Sequence, residues 1–277
     1  MRAYAAHIDA LPAFMTMRDS PYAAPTFVLT RGLYDQPDRA QPVQPSAINA
    51  VLAETSLAER NRLGLARWLV DPANPLAARV EVNRLWTQVF GRGLVETSEN
   101  FGLQGAWPSH VEVLDLLAAD FARGEHAWDT NHMLRRLVLS AVFRQSSATS
   151  DAKRARDPRN ELLARGPSVR LSAEMLRDSA LFASGLLVEQ SGGPSVKPYQ
   201  QPNLVDDSGA NGSYNSDTGD AAHRRSLYTF RKLTVPPPTM LAFDAGSREA
   251  CQSRRFATYT PLQALTIMCD PIFTECA

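Results

Sequence analysis

The chain has 277 residues, with 29 basic and 29 acidic side chains, so its formal net charge is zero. That balance supplies no long-range field for steering onto nucleic acid or an anionic membrane. With 44% hydrophobic and 21% charged residues, it is neither a disordered nor a fibrous chain but a globular one of one or two domains.

At the start, Met1 to Asp9 is too short and too interrupted by charge for the apolar region of a signal peptide. No run of about 18 apolar residues occurs, so no membrane span is expected. Read as a complete protein, the chain would be cytoplasmic. Prolines then recur at 12, 21, 25, 37, 42 and 45 around the alternating run Thr26-Phe27-Val28-Leu29-Thr30. Closely spaced prolines forbid a helix, so 1–45 reads as an extended arm with one edge strand, and 46–277 as a helical domain.

Helix starts recur as a capping residue followed by proline, a residue suited to the first helical position because its missing N–H had no partner there. Asn74-Pro75 opens one helix, with an apolar stripe through Leu76, Val80, Val82, Leu85, Trp86 and Val89 up to Gly91. Asp157-Pro158 and Thr260-Pro261 repeat the device. Thr260 with Gln263, and Ser109 with Glu112, also fit capping boxes. Further helices are expected at 61–70, 109–123, 130–145 and 172–187, about seven in all. Strand signal beyond Thr26 to Thr30 is confined to Ser226 to Phe230. The expected fold is mainly α: a compact multi-helix domain with a Pro-rich extended N-terminal arm, a long Gly/Ser/Asp-rich loop and minor β.

That loop runs from Ser191 to His223, and its tyrosines, Tyr199 and Tyr214, favour an ordered Ω-like excursion. Residues 189–220 carry Glu189, Asp206, Asp207, Asp217 and Asp220 against Lys197. The following stretch, 224–255, carries seven basic residues against Asp244 and Glu249. The two segments could neutralise one another. Of the basic residues only Lys153, Lys197 and Lys232 are lysines, the other 26 being arginine. Codon bias explains such an excess; the alternative is that some guanidiniums make planar contacts that lysine cannot.

Chemical motifs are few. Gly91-Arg92-Gly93 lacks the Lys-Ser/Thr of a phosphate loop and fits a helix C-cap instead. His7, His110, His126, His132 and His223 have no metal-ligand spacing; His110, beside a helix start, is either a neutral general base or a capping-turn histidine. The aspartates of 206–220 do not match a calcium loop. Arg224 to Lys232 interleaves charge with aromatics as single-strand binders do, but with an acidic neighbour at hand, and nucleic acid is not expected as a partner. Arg254 and Arg255, before Thr260-Pro261, could bind an anion or form salt bridges. No G-x-S-x-G elbow occurs. Cys251, Cys269 and Cys276 have no C-x-x-C spacing, and buried free thiols are favoured over a disulfide.

Several stretches together resemble one family. Asn61-Arg-Leu-Gly-Leu-Ala-Arg-Trp-Leu-Val, Asn74-Pro-Leu-Ala-Ala-Arg-Val-Glu-Val-Asn-Arg-Leu-Trp and Phe90-Gly-Arg-Gly-Leu-Val-Glu-Thr are similar to the planctomycete secreted-domain family, a domain of unknown function. Phe143-Arg-Gln-Ser-Ser, Glu174-Met-Leu-Arg-Asp, Gly192-Gly-Pro-Ser-Val, Arg224-Arg-Ser-Leu-Tyr-Thr-Phe, Pro236-Pro-Pro, Phe243-Asp-Ala and Thr260-Pro-Leu-Gln-Ala-Leu continue the match. The resemblance implies the C-terminal part of a large exported protein, periplasmic or extracellular, often associated with a cytochrome-c-like domain. Arm 1–45 then resembles a linker from an upstream domain, and Met1 a truncated start. Haem would belong to such an upstream domain; no cofactor is expected in this chain. The chain departs from the family pattern at Val111, Tyr259 and Cys269, the latter two standing where relatives carry asparagine.

Two functions follow as expectations. The first is a non-catalytic interaction or ligand-binding module that docks on the upstream domain or on a glycan or protein. Its candidate cleft comprises His110, Arg144, Asp178, Tyr214, Asp217, Asp220, Arg224, Arg225, Tyr228, Arg254 and Arg255. The alternative is an enzyme acting on saccharides or coupled to a haem domain, with a carboxylate pair drawn from Glu174, Asp178, Asp217, Asp220 and Asp244.

Overall fold

The computed structural model describes every residue except 1–14, 21–23, 49–50, 52–58, 202–213, 233–235, 247, 249–250 and 256. Among the described residues ten α-helices accompany one two-stranded sheet, so the fold is mainly α with minor β. The chain divides into two compact units, Met1–Val82 with Glu112–Asp129, and Asn83–Val111 with Thr130–Ala277.

In the first unit, β1 (Thr26–Leu29) pairs antiparallel with β2 (Pro37–Val43). The expected single edge strand is therefore a hairpin. Its second strand keeps prolines at its first position, Pro37, and at Pro42, opposite Phe27 where the register shifts, which are the places a ladder tolerates a missing N–H. Helix α1 (Arg62–Leu69) is capped by Asn61, whose side-chain oxygen accepts from Gly64 N at 2.8 Å. Gly64 is obligatory because a Cβ there would stand 1.8 Å from the Glu59 carbonyl. Helix α2 (Pro75–Phe90) starts as expected, with Asn74 Oδ1 accepting from Leu76 N. Helix α3 (Val111–Arg123) buries Leu114, Leu117, Ala118, Phe121 and Ala122. Arg79 on α2 pairs with Asp115 on α3 at 2.7 Å.

The second unit is organised around Asn83, which is fully buried. Its amide accepts from Val95 N (2.9 Å) and donates to Val95 O (3.0 Å), clamping the chain after Gly91 against α2. Gly93 lies so close that a Cβ would meet the Asn83 side chain at 2.8 Å. Ser109 does not cap α3 through a side-chain box; its hydroxyl donates to Leu94 O at 3.3 Å.

The helix expected over 130–145 is two: α4 (Thr130–Val138) and α5 (Ala141–Arg144). Ser140 divides them, its hydroxyl donating to Leu137 O and accepting from Phe143 N. Asp157-Pro158 does not open a helix. It follows α6 (Asp151–Arg156), and the Asp157 carboxylate accepts from Glu161 N and Leu162 N, both at 2.8 Å, around left-handed Asn160 and Leu163. Burial works against that carboxylate, yet these backbone donors hold its pKa below the usual value.

Helix α7 (Ala173–Ser184) has its Ser172 cap and ends in left-handed Gly185. Short α8 (Pro238–Ala242), α9 (Pro261–Cys269) and α10 (Pro271–Cys276) follow. Ala173, Met240, Phe243, Ala245, Ile272 and Phe273 form one buried cluster that ties α7, α8 and α10 together. Ser226 to Phe230, expected as a strand, holds a 3-10 turn at Ser226–Tyr228. Arg224 and Thr229 make only isolated parallel bridges, to Val188 and Val196. A ladder cannot extend because side chains of α7 occupy the backbone groups it would use: Arg177 takes the carbonyls of Ala222 and Arg224, and Asp178 takes Ser226 N.

Candidate functional site

The expected cleft residues fall into five places. Asp178, Arg224, Arg225 and Tyr228 meet on α7 and the turn beside it. Arg224 is buried; its guanidinium donates to Gln190 O and Pro194 O at 3.0 Å each and to Gly192 O, and lies 4.1 Å from the Tyr228 ring centroid. Arg225 stands 3.7 Å from Asp178. This set is a lock on the chain, in which the terminal nitrogens of Arg224 are spent on internal carbonyls.

Tyr214 and Asp217 adjoin the lock at the neck of the long loop. Tyr214 donates its hydroxyl to Pro198 O at 2.6 Å, and Asp217 exchanges bonds with the Lys197 backbone, its carboxylate accepting from Lys197 N and its own N–H donating to Lys197 O. The Lys197 ammonium sits over the Tyr214 and Phe230 rings, at 5.9 and 5.5 Å. Burial first, then the charge of Asp217, push the Tyr214 pKa up to about 12. Asp220 sits in the 3-10 turn Gly219–Ala221. The Ω-like character expected of the loop's middle, and any pairing of Asp206 and Asp207, lie outside the described residues. At the described ends, the arginines of the basic segment use carbonyls and other acids instead of the loop's aspartates.

His110 stands elsewhere. Its ring Nδ1 shares a hydrogen bond with Ser109 Oγ at 3.1 Å, and it lines a small cleft together with Trp86 and Phe90, whose rings stack at 4.1 Å. Its rim is a closed ring of charge. Arg92 binds Glu96 (2.9 Å) and Glu161 (2.5 Å), while Arg159 binds Glu96 (2.5 Å). Burial lowers the pKa of Arg92, but Glu161 and Glu96 outweigh it and raise the value; burial raises Glu96, but Arg92 and Arg159 bring it down. Arg144 is exposed at the end of α5.

Arg254 and Arg255 form salt bridges. Arg255 lies 2.6 Å from Glu174, and Arg254 lies 3.9 Å from Glu99. Among the carboxylate candidates, Glu174 is bonded to Arg255, Asp178 lies within ion-pair distance of Arg177 and Arg225, and Asp244 is held by Arg170 (2.5 Å) and by both N and Oγ1 of Thr258. For Asp244 burial is outweighed by Thr258 and Arg170, so its pKa is lowered. Carboxylates so committed do not offer the proton donor and nucleophile of a glycosidase. Among the described residues no group of three His, Cys, Asp or Glu side chains is arranged to hold a metal ion. The three cysteines are free thiols, as expected, but Cys251 and Cys269 are exposed and Cys276 half-buried.

The feature that residue-type reasoning missed is α9. Thr260 and Gln263 form the expected capping box, but Gln263 also turns inward, donating to Ala242 O (3.0 Å) and Thr258 Oγ1 (3.1 Å). It is the one buried residue of the helix. Leu262, Leu265 and Met268 therefore point outward, at 59%, 54% and 73% exposure, beside Tyr259 at 78%. An open groove runs along the same helix past Ile267, Phe243, Leu176 and Tyr259, with the Arg170 guanidinium 5.8 Å from the Tyr259 ring centroid. The available signal was a nine-residue helix, Pro261 to Cys269, with no charged side chain.

A family model described as PSD1, protein of unknown function (DUF1553), matches residues 61–277, and the chain belongs to that family. No curated protein matches the chain, and no solved structure does. No helix among the described residues is long and apolar enough to cross a membrane.

Proposed function

We propose that this chain is a non-catalytic interaction module whose α9 face docks another folded protein surface. The observation that carries this reading is the inversion of α9, in which the polar Gln263 faces the core and the leucines and methionine face solvent. A helix that is apolar nearly all round belongs in an interior, and a contiguous apolar patch of this kind marks an interaction surface. The partner is a protein in preference to a glycan, because α9 has no charged side chain and its one amide is spent internally. An upstream domain of an exported multidomain parent is the partner that the family resemblance suggests, with arm 1–45 as the linker and any haem in that other domain.

Amide hydrogen exchange tests the reading. Residues 259–269 are expected to exchange at least tenfold more slowly in the full parent polypeptide than in this chain alone. Equal exchange in both, or turnover of a saccharide or redox substrate by the isolated chain, would overturn it.

A further inference from the structure

One side chain in the first turn of α7 draws an unusual concentration of positive charge. Glu174 lies 2.6 Å from Arg255 through Oε2 and 3.9 Å from Arg248 through Oε1, and the charge of Arg231 acts on it as well. Burial disfavours its ionised form, yet Arg255 first, then its own backbone N–H, and last the charge of Arg231 hold its pKa below the usual value. Its Oε1 is buried without a hydrogen-bond partner among the described residues.

Two guanidiniums thus lie against one carboxylate and the charge of a third, Arg231, acts on it, so the three leave an excess of two positive charges. Counting the formal charge of Glu249 from the sequence still leaves an excess of one. The other described acids in this part of the chain are committed elsewhere, Asp244 to Arg170 and Thr258, and Glu99 to Arg254. The guanidiniums are also under-used. Arg231 donates to Gly246 O at 2.6 Å and only weakly to Met240 Sδ at 3.9 Å, and Arg248 makes an ion-pair contact without a hydrogen bond among the described residues. Each guanidinium has five N–H donors in a rigid fork.

We propose that Arg231, Arg248 and Arg255 form a binding site for a tetrahedral oxyanion of the sulfate or phosphate class. Three planar forks suit an anion with three or four oxygens better than a carboxylate with two. Glu174 holds the forks together and leaves the site net positive. The oxyanion can be a free ion or an ester carried on a polymer, and the two sources share this chemistry. The site is independent of the docking face on α9.

Isothermal titration of the chain with sodium sulfate and sodium phosphate, against sodium chloride at matched ionic strength, tests the site. A second arm compares dextran sulfate with neutral dextran. Saturable binding to either oxyanion source above the chloride and neutral-dextran controls is expected. Binding by the free ions assigns the free source, and binding by dextran sulfate alone assigns the polymer ester. Arg248→Gln, at a half-exposed position, is expected to weaken binding about tenfold with an unchanged melting profile, while Arg248→Lys retains part of it. Absence of saturable binding in both arms, or equal binding by Arg248→Gln and the parent chain, would overturn the assignment. Should Arg248→Gln melt early, Arg255→Lys supplies the same comparison.

Discussion

Arg177 shows why arginine outnumbers lysine so heavily here. It is buried on α7, and its two terminal nitrogens reach Arg224 O (2.8 Å), Ala222 O (2.6 Å) and Ser226 Oγ (3.2 Å). Burial lowers its pKa, while Asp178 and more remote acidic groups oppose the shift. Arg165 grips Asp157 O and Pro158 O, and Arg123 places both Nε and Nη2 on Pro72 O. Each is a multi-point grasp of backbone carbonyls that a single ammonium cannot reproduce. Codon bias therefore does not account for these positions by itself. Arg177→Lys is expected to cost about 2–3 kcal/mol in chemical denaturation, because at least one buried carbonyl is left without a donor. A loss under 0.5 kcal/mol would show the fork to be dispensable. These roles could not be read in advance, since the carbonyls that Arg177 binds lie more than forty residues away.

At the level of elements, what could be read locally was read well. The caps of α1, α2, α7 and α9 are bonds between residues two or three apart, and Asn61, Asn74, Ser172 and Thr260 announce them. The same local grammar misled at Asp157-Pro158, where the carboxylate binds N–H groups four and five residues on and wraps a loop. It was silent on which face of α9 is inward, because that depends on Ala242 O, 21 residues away from Gln263. Leu265→Glu is expected to leave stability within about 0.5 kcal/mol, since the side chain already stands in water. Gln263→Leu is expected to cost about 2 kcal/mol by removing the cap and two inward bonds. Thermal melts of the two variants should separate them by several degrees; the reverse order would mean that α9 packs by its leucines.

For the molecule as a whole, neutrality conceals local bookkeeping of charge that becomes visible with pH. Glu174, Glu96 and Asp244 all have pKa values lowered in the folded state, so the stability they contribute is present above their unfolded values of 4.5, 4.5 and 3.8. It is lost as pH falls through the folded values. Tyr214 acts at the other end. Its folded pKa of about 12 exceeds the ordinary 10.0, so the unfolded state releases that proton first and stability falls from about pH 10 to about pH 12. Denaturant midpoints across this alkaline window should decline in the parent chain and decline less in Tyr214→Phe. Identical slopes would remove Tyr214 from the account.

The bonds between Lys197 and Asp217 have one more consequence. They hold the two ends of the intervening segment together, with Tyr214 bonded to Pro198 just inside them. Once such a knot exists, closing a longer or shorter excursion beyond it changes the entropy only slowly with length, by about 0.6 kcal/mol per doubling. The span from 199 to 213 is thus a place where this architecture can lengthen, shorten or exchange a whole segment, and so change what it presents, while the helices beneath are left as they were.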